Sequence, residues 1–223
     1  MSTNYNILLK SEKRLKELII SYLSLVHEIH NKLWQDIDKY TDGEKNIIFD
    51  NTERRLKRSM TKEDELLDEC IWTISKDDPR ANHLRFIISV IYSTKDLSRS
   101  CEYAQSIAKV VVRNNLDKTT MKFMRPTAKL YLDYIEQIIK LYKGTTNDKF
   151  EKFDEFNLEF ESKFEKLQKE NRKHFSSDEI VQFQIIQICR LISSTTERLQ
   201  SIFSSFLFSK SETKTIEIKK NKK

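Results

Sequence analysis

Five ionisable side chains stand out in this 223-residue chain because they lie on an apolar helix pattern whose packing does not require them. They are His83, Arg85, Asp96, Arg99 and Glu102. Two interpretations of them stay open. They form a functional surface, or Arg85, Asp96 and Arg99 make ion pairs between packed helices, which contribute little to stability when they are exposed.

Other spacings indicate less chemistry. His27 and His30 could chelate zinc, but no third ligand is indicated, so we predict an ordinary surface pair. Cys70, Cys101 and Cys189 are isolated among apolar residues, which suits buried reduced thiols and not a disulfide framework or a zinc site. No spacing places a nucleophile beside a base, and no Glu-x-x-His pairs of the di-iron kind occur. We predict that the protein is not an enzyme.

Composition predicts an all-α fold. The chain has two Gly and two Pro, far below ordinary usage, and 33% of its residues are charged. No two Gly lie close together, which excludes Gly-rich phosphate-binding loops. Between residues 79 and 112 apolar side chains recur with the 3.6-residue period of an amphipathic helix. They are Leu84, Ile87, Ile88, Ile91, Leu97, Cys101, Ala104, Ala108 and Val111.

Six long helices are predicted from this period, at about residues 7–41, 44–75, 79–112, a segment ending at Gly144, 147–172 and 178–208. Residues 41–43 separate the first two helices. Pro79 is predicted to begin the third helix, with Asp77 and Asp78 as hydrogen-bond acceptors at its start.

The predicted buried faces follow the same period. They include Met60, Ile71 and Ile74 in the second helix, the aromatic stripe from Phe150 to Phe164 in the fifth, and Ile180 and Phe183 in the sixth. Each half of the chain repeats the order helix, helix, spine helix, the spine helices being residues 79–112 and 178–208. We predict two tandem three-helix bundles, residues 1–113 and 114–208, followed by a basic disordered tail, residues 209–223.

The net charge of +6 is unevenly distributed. The tail holds six Lys and two Glu, which leaves the other 208 residues with a charge of +2. We therefore expect no nucleic-acid-binding surface on the bundles. The tail is predicted to be a solubilising end, the alternative being a tether to acidic lipid headgroups or RNA. No signal peptide or membrane-spanning run is visible, so we predict a cytoplasmic protein.

Two motifs of the first spine helix resemble the PhoU family of regulators attached to phosphate uptake. The first is P-x-A-x-H-L-R at Pro79, Ala81, His83, Leu84 and Arg85, where the family has P-x-A-x-D-L-R. The second is D-L-S-R-x-x-E, from Asp96 to Glu102, where the family has D-L-E-R-I-G-D. The second spine helix has Glu197-Arg198-Leu199 where the family repeats E-R-I-G-D. The resemblance covers residues 1–208 and includes the duplicated three-helix plan.

In this family the E-x-x-x-D pattern implies metal binding, because carboxylates one helical turn apart can share a cation. Here Ser98 replaces the carboxylate that precedes Glu102, and Ser201 replaces the one that follows Glu197. Further oxygens could come from two carboxylates on neighbouring helices, Asp154 and Glu63. The resemblance therefore implies a weak single Mg²⁺-like site at Glu102 and Glu197, or none, and not a multinuclear cluster.

The resemblance also implies a function and partners. It implies a regulator that binds the ATPase subunit of a Pst-type phosphate importer, with a sensor kinase as a second partner in bacteria that possess one, and a homodimer. Docking through amphipathic helical faces needs no active site. Alternatives are an accessory protein of an ion-coupled phosphate permease and a helical scaffold in which the motifs are relics. A metalloenzyme is the remote fourth option.

Overall fold

The computed structural model describes residues 2–40, 43–144 and 149–210. Within these ranges it contains seven α-helices and no strand, which confirms the all-α prediction. The helices are α1 (Ser2–Tyr40), α2 (Asn46–Asp77), α3 (Asn82–Arg113), α4 (Lys118–Phe123), α5 (Arg125–Lys143), α6 (Lys149–His174) and α7 (Glu179–Lys210). The first spine helix is α3 and the second is α7. Thr41, Asp42 and most of the predicted tail lie outside the described residues.

The six long helices are present within the described ranges, and a short helix of six residues, α4, precedes α5 in the fourth predicted segment. Asp117 caps α4, because its carboxylate accepts a hydrogen bond of 2.7 Å from the Thr120 amide. Pro126 lies in the first turn of α5, where its missing N–H breaks no hydrogen bond of that helix. Because proline lacks this donor and its ring clashes with the preceding turn, α4 cannot continue through it. Helix α5 ends at Gly144 as predicted, with a left-handed φ of 82° that favours glycine.

The connection between α2 and α3 differs from the prediction. Helix α2 continues through Asp77, and α3 begins at Asn82 and not at Pro79. The residue before α3 is Ala81, which offers no side-chain cap, so the predicted caps were wrong. Asp78 and Ala81 have positive φ angles of 45° and 49°, a conformation that costs a non-glycine residue on the order of 1 kcal/mol or more.

Contacts with α1 hold this connection in place. The Ser11 hydroxyl donates a hydrogen bond of 2.6 Å to the Asp77 carboxylate. On the other side of the turn, His83 Nδ1 lies 2.7 Å from a carboxylate oxygen of Glu12. Both ends of the turn are thus anchored to one helix, which offsets its backbone strain.

The helices pack as two groups that share one core. Helices α1, α2 and α3 pack against one another, as do α5, α6 and α7. The two groups meet where α3 packs along α7 and where α1 packs along α5. The buried apolar side chains form one continuous cluster through both groups. The division into units at residue 113 stays a prediction.

Helix α6 contributes the aromatic side of that core. Phe153, Phe160 and Phe164 are buried, and the ring of Phe160 lies 4.3 Å from that of Tyr134 on α5. The prediction that this stripe is core is confirmed for these residues. The Phe150 side chain lies outside the described residues.

Several apolar residues predicted to be buried are exposed. They are Met60, Ile71, Ile74, Ile88, Ile180 and Phe183. On α7 the inward series includes Gln184, Ile188 and Ile192, so Phe183 lies one position, or about 100°, from the core-facing direction. Ile88 is displaced in the same way from buried Ile87. The period was predicted correctly, but the angle of the inward face was wrong at these positions.

Candidate functional site at the crossing of two helices

The predicted functional residues of α3 and α7 meet where these helices pack. Arg198 Nη1 lies 2.5 Å from Asp96 Oδ1, and the two side chains retain 34% and 23% of their exposure. This pair joins positions 102 residues apart in the sequence. Asp96 and Arg198 are therefore one inter-helix ion pair, in the partly buried position where such a pair contributes more than on an open surface.

Tyr103 extends this ion pair. Arg198 Nε donates to the Tyr103 hydroxyl at 3.4 Å, and the guanidinium carbons of Arg198 and Arg99 lie 5.6 and 5.8 Å from the ring centroid. The hydrogen bond from Arg198, together with the charges of both arginines, lowers the pKa of Tyr103 below its ordinary value. The hydrogen bond to Tyr103 in turn raises the pKa of Arg198.

The two predicted metal residues have different neighbours. Glu102 pairs with Arg99 one turn earlier on α3. Glu197 is exposed on α7 and accepts a hydrogen bond of 3.1 Å from the Ser193 hydroxyl. Each carboxylate contacts a partner on its own helix, so the structure does not show these two carboxylates sharing a ligand. Their weak metal site stays a prediction.

Glu63 on α2 is held by a lysine. Lys95 Nζ lies 2.5 Å from Glu63 Oε1, and only 15% of the Glu63 side chain is exposed. Burial would raise the pKa of Glu63, but hydrogen bonds from Lys95 and Ser98 and the Lys95 charge lower it below the ordinary value. Ser98, which stands where the family has a carboxylate, thus faces Glu63 across the contact between α3 and α2.

These pairings decide how well the residues fit a metal cluster. Within the described ranges, no three His, Cys, Asp or Glu side chains converge to hold a metal ion. Asp96, Glu102 and Glu63 are instead each paired with an Arg or a Lys. Asp154 is exposed on α6. The side chains present do not fit a multinuclear centre, because an Arg or Lys side chain already pairs with each of these three carboxylates.

The remaining motif residues lie elsewhere. Pro79 and Ala81 belong to the turn before α3, and Leu84 and Arg85 to its first turn. Arg85 is exposed, and its Nη1 donates to Asn82 Oδ1 at 3.4 Å. At a rise of 1.5 Å per residue, Arg85 precedes Asp96 by about 16 Å along the helix. The structure therefore divides the predicted motif between the turn and the crossing.

His30 is not a surface residue, so that prediction was wrong. Its side chain is fully buried between α1, α3 and α5, with Nε2 3.0 Å from the Ser100 carbonyl oxygen and the Tyr131 ring packed edge-on. Burial lowers the pKa of His30 to about 4, although the Ser100 hydrogen bond acts in the opposite direction. The inward series of α1 includes Val26, Ile29 and Leu33, and it brings position 30 to the core as well.

The three cysteines are buried and free, as predicted. Burial raises the pKa of Cys70 and Cys101 to about 12 and that of Cys189 to about 11. These thiols are therefore protonated at neutral pH, the unreactive form.

Sequence reasoning missed the roles of Tyr103 and Lys95. A signal existed, because Lys95, Arg99 and Tyr103 recur at intervals of four and must share one face of α3.

The fold and the crossing define an all-helical bundle in which two long helices meet through ion-paired side chains. Residues 10–111 match the family model of the PhoU domain, which confirms the predicted family resemblance in that part of the chain. A crystal structure of the phosphate transport system regulatory protein PhoU from Streptococcus pneumoniae superposes with a TM-score of 0.69. The superposition covers 92% of this chain and 97% of that one at 18% identity, so the two share a fold.

Two curated relatives come from mycoplasmas. The uncharacterized protein MG409 of Mycoplasma genitalium is 27% identical over 219 residues, covering 93% of this chain and 96% of the relative. Its homolog in Mycoplasma pneumoniae is 29% identical over 226 residues, covering 94% and 96%. Both span nearly the full length, so the similarity includes the part of the chain beyond residue 111. None of the helices that the structure describes is apolar enough over a sufficient length to cross a membrane.

Proposed function

We propose that this protein regulates phosphate transport by docking on a phosphate importer and that it performs no catalysis. The observation that carries the proposal is the PhoU-domain match over residues 10–111, to which the shared fold with the streptococcal regulatory protein adds support. The ion-paired crossing of α3 and α7 suits this role, because it fixes the relative position of two long helices without presenting a reactive group.

The contact between α2 and α3 offers a surface for docking. Helices α2 and α3 pack against each other and run in opposite directions because a turn of four residues connects them, and the ion pair between Glu63 and Lys95 joins them. Eight residues after Glu63, Ile71 is exposed, and Ile88 and Tyr92 are exposed seven and three residues before Lys95. At about 100° per residue, these spacings keep the three side chains within about 80° of the directions of Glu63 and Lys95, so they follow one seam. We call Ile71, Ile88 and Tyr92 the seam surface.

The seam surface suits a protein partner for two reasons. An exposed Tyr is among the side chains that most often carry binding energy in protein interfaces. All three residues also lie within the segment that matches the PhoU domain. The partner of this proposal is the ATPase subunit of a Pst-type importer, which places the protein on the cytoplasmic side. A sensor kinase and a second copy of this chain are further partners of the same proposal.

A pull-down with the purified ATPase subunit tests the proposal. The expected result is a complex that survives washing at micromolar protein concentration. Uptake of radiolabelled phosphate, measured with and without the gene, is the second measurement, and we expect uptake to change. A protein that neither binds the subunit nor alters uptake would contradict the proposal.

Two alternatives predict different results. An accessory protein of an ion-coupled phosphate permease would alter uptake without binding the ATPase subunit, and its gene would lie beside that of the permease. A helical scaffold would leave phosphate uptake unchanged. The ion pairs that replace carboxylate clusters near α3 are compatible with both alternatives, so the uptake measurement and the pull-down are needed together.

A further inference from the structure

A narrow cleft of about 150 Å³ lies between α6 and α7, outside the part of the chain that matches the PhoU domain. Its polar lining comprises Gln168, Asn171 and Arg172 from α6 and Cys189, Arg190 and Ser193 from α7. Buried Ile185 forms an apolar wall. Arg172 and Arg190 are exposed, so they place two positive charges at the rim of the cleft, and its lining contains no acidic side chain.

Arg172 and Arg190 differ from the arginines that hold the bundle together. Arg55, Arg58 and Arg198 each lie within 3 Å of a carboxylate oxygen. Within the described residues, the guanidinium groups of Arg172 and Arg190 form neither an ion pair nor a hydrogen bond. Two like charges at one recess repel each other, and an anion between them would offset that repulsion.

The rest of the lining limits what can bind. The buried Asn171 amide donates to Thr127 Oγ1 at 3.2 Å, and the Ser193 hydroxyl donates to Glu197. The half-buried Gln168 amide and the two guanidinium groups remain as donors toward the cleft. Burial raises the pKa of the Cys189 thiol, and the positive charge of Arg172 partly offsets this rise. The positive charge of Arg172 is therefore felt within the cleft.

We propose that this cleft binds a small oxyanion between Arg172 and Arg190. A planar guanidinium donates two parallel hydrogen bonds to a carboxylate, phosphate or sulfate, and such charge-assisted bonds are the strong ones. The volume of about 150 Å³ is enough for one small anion. This inference rests on the side chains of the cleft and does not depend on the proposed function.

Isothermal titration calorimetry on the full chain tests the proposal. The probes are inorganic phosphate, sulfate and acetate in a chloride buffer of constant ionic strength. We expect saturable binding of at least one probe in the millimolar range or tighter. A preference for phosphate and sulfate over acetate identifies a tetrahedral ligand, and the reverse preference identifies a carboxylate.

Substitutions locate the binding. We expect R190Q and R172Q each to weaken it by about tenfold, because each removes a charge-assisted contact. The matched control is R54Q, which removes an exposed charge from the N-terminal third of α2 that has no partner among the described residues and should leave binding unchanged. Circular dichroism confirms that all variants are folded. Absence of saturable binding in the wild type, or an equal loss in R54Q, would overturn the proposal.

Discussion

Lys95 places its ammonium nitrogen 2.5 Å from a carboxylate oxygen of Glu63 and so joins α3 to α2. Ser98, one turn further along α3, also lowers the pKa of this carboxylate. In the PhoU-family pattern position 98 carries a carboxylate, and a second carboxylate beside Glu63 would require a cation. In this chain position 98 is serine, and the positive charge beside Glu63 comes from the Lys95 side chain.

The first prediction concerns this pair. K95Q should lower the free energy of unfolding at neutral pH slightly, because the largely buried Glu63 carboxylate then loses its partner. Urea unfolding followed by circular dichroism measures the change. The matched control is K163Q, which removes the exposed Lys163–Glu159 pair on α6 and should cost less. If both variants lose the same free energy of unfolding, the Lys95–Glu63 pair stabilises the fold no more than an exposed pair does.

The same pair has a pH dependence with a definite sign. The folded-state pKa of Glu63 lies below its ordinary value of 4.5, so its contribution is present above that value and is lost as the pH falls through the folded-state pKa. Burial raises the pKa of Glu63, and Lys95 opposes this effect, so the pKa of Glu63 should rise when Lys95 is removed. We therefore expect the acid-unfolding midpoint of K95Q to lie at higher pH than that of the wild type.

The second prediction concerns Arg198 and Tyr103. In R198Q, Tyr103 loses the hydrogen bond and the charge that lower its pKa, so one tyrosine should ionise at higher pH than in the wild type. Ultraviolet absorbance of the phenolate during alkaline titration measures this. Y103F identifies the transition, because it removes that tyrosine alone. If the titrations of R198Q and the wild type coincide, the two side chains do not interact in solution.

A double-mutant cycle on D96N and R198Q measures the energy of the crossing. The coupling should be on the order of 1 kcal/mol, because the two side chains are partly buried and joined by a short contact. A coupling near zero would mean that the crossing is held by apolar packing alone.

The sequence predicted the helices and both members of this ion pair, but not their pairing. Helix content follows from local period and from breakers such as Gly144. The pairing of Asp96 with Arg198 depends on how two helices far apart in sequence are rotated against each other, and no local pattern encodes that rotation. The same limit explains Phe183, for which an error of one position in the inward face reversed the predicted burial, whereas on α1 the predicted inward face was right but is wide enough to bury His30 as well.

The cleft between α6 and α7 shows a second limit. Arg172 and Arg190 are single arginines on two charged or amphipathic helices, and in sequence they resemble any solvated residue. What distinguishes them is that both line one cleft and that neither has a carboxylate partner within the described structure, which only the packed helices reveal. The break before Pro126 could have been predicted, because a proline prevents the preceding helix from continuing.

The third prediction concerns divalent ions. Glu102 is paired with Arg99, so any divalent ion must compete with a guanidinium for this carboxylate. We expect Mn²⁺ to bind the wild type weakly and R99Q more tightly, by a factor of a few, because R99Q frees the carboxylate. Electron paramagnetic resonance of free Mn²⁺ measures the affinity. E102Q is the control, and unchanged affinity in both variants would exclude Glu102 as a ligand.

The fourth prediction concerns His30. Its pKa is lowered from 6.5 in the unfolded chain to about 4 in the fold, so the unfolded state binds more protons between these values. Stability should therefore fall as the pH drops from 6.5 toward 4. In H30Q this part of the pH dependence should disappear, whereas H27Q, a change on the same helix, should retain it. An unchanged pH dependence in H30Q would contradict the buried neutral imidazole.

The last prediction concerns the seam surface. Tyr92 on α3 and Phe183 on α7 are 70% and 59% exposed, so truncating either to alanine should change folding stability little. If the importer's ATPase subunit docks on the seam surface, Y92A should weaken the complex by tenfold or more, the loss typical of an aromatic interface residue, and F183A should not. Surface plasmon resonance with the immobilised subunit measures both affinities. Loss of binding in F183A alone would move the docking surface to α7, and loss in neither would place it away from both aromatic side chains.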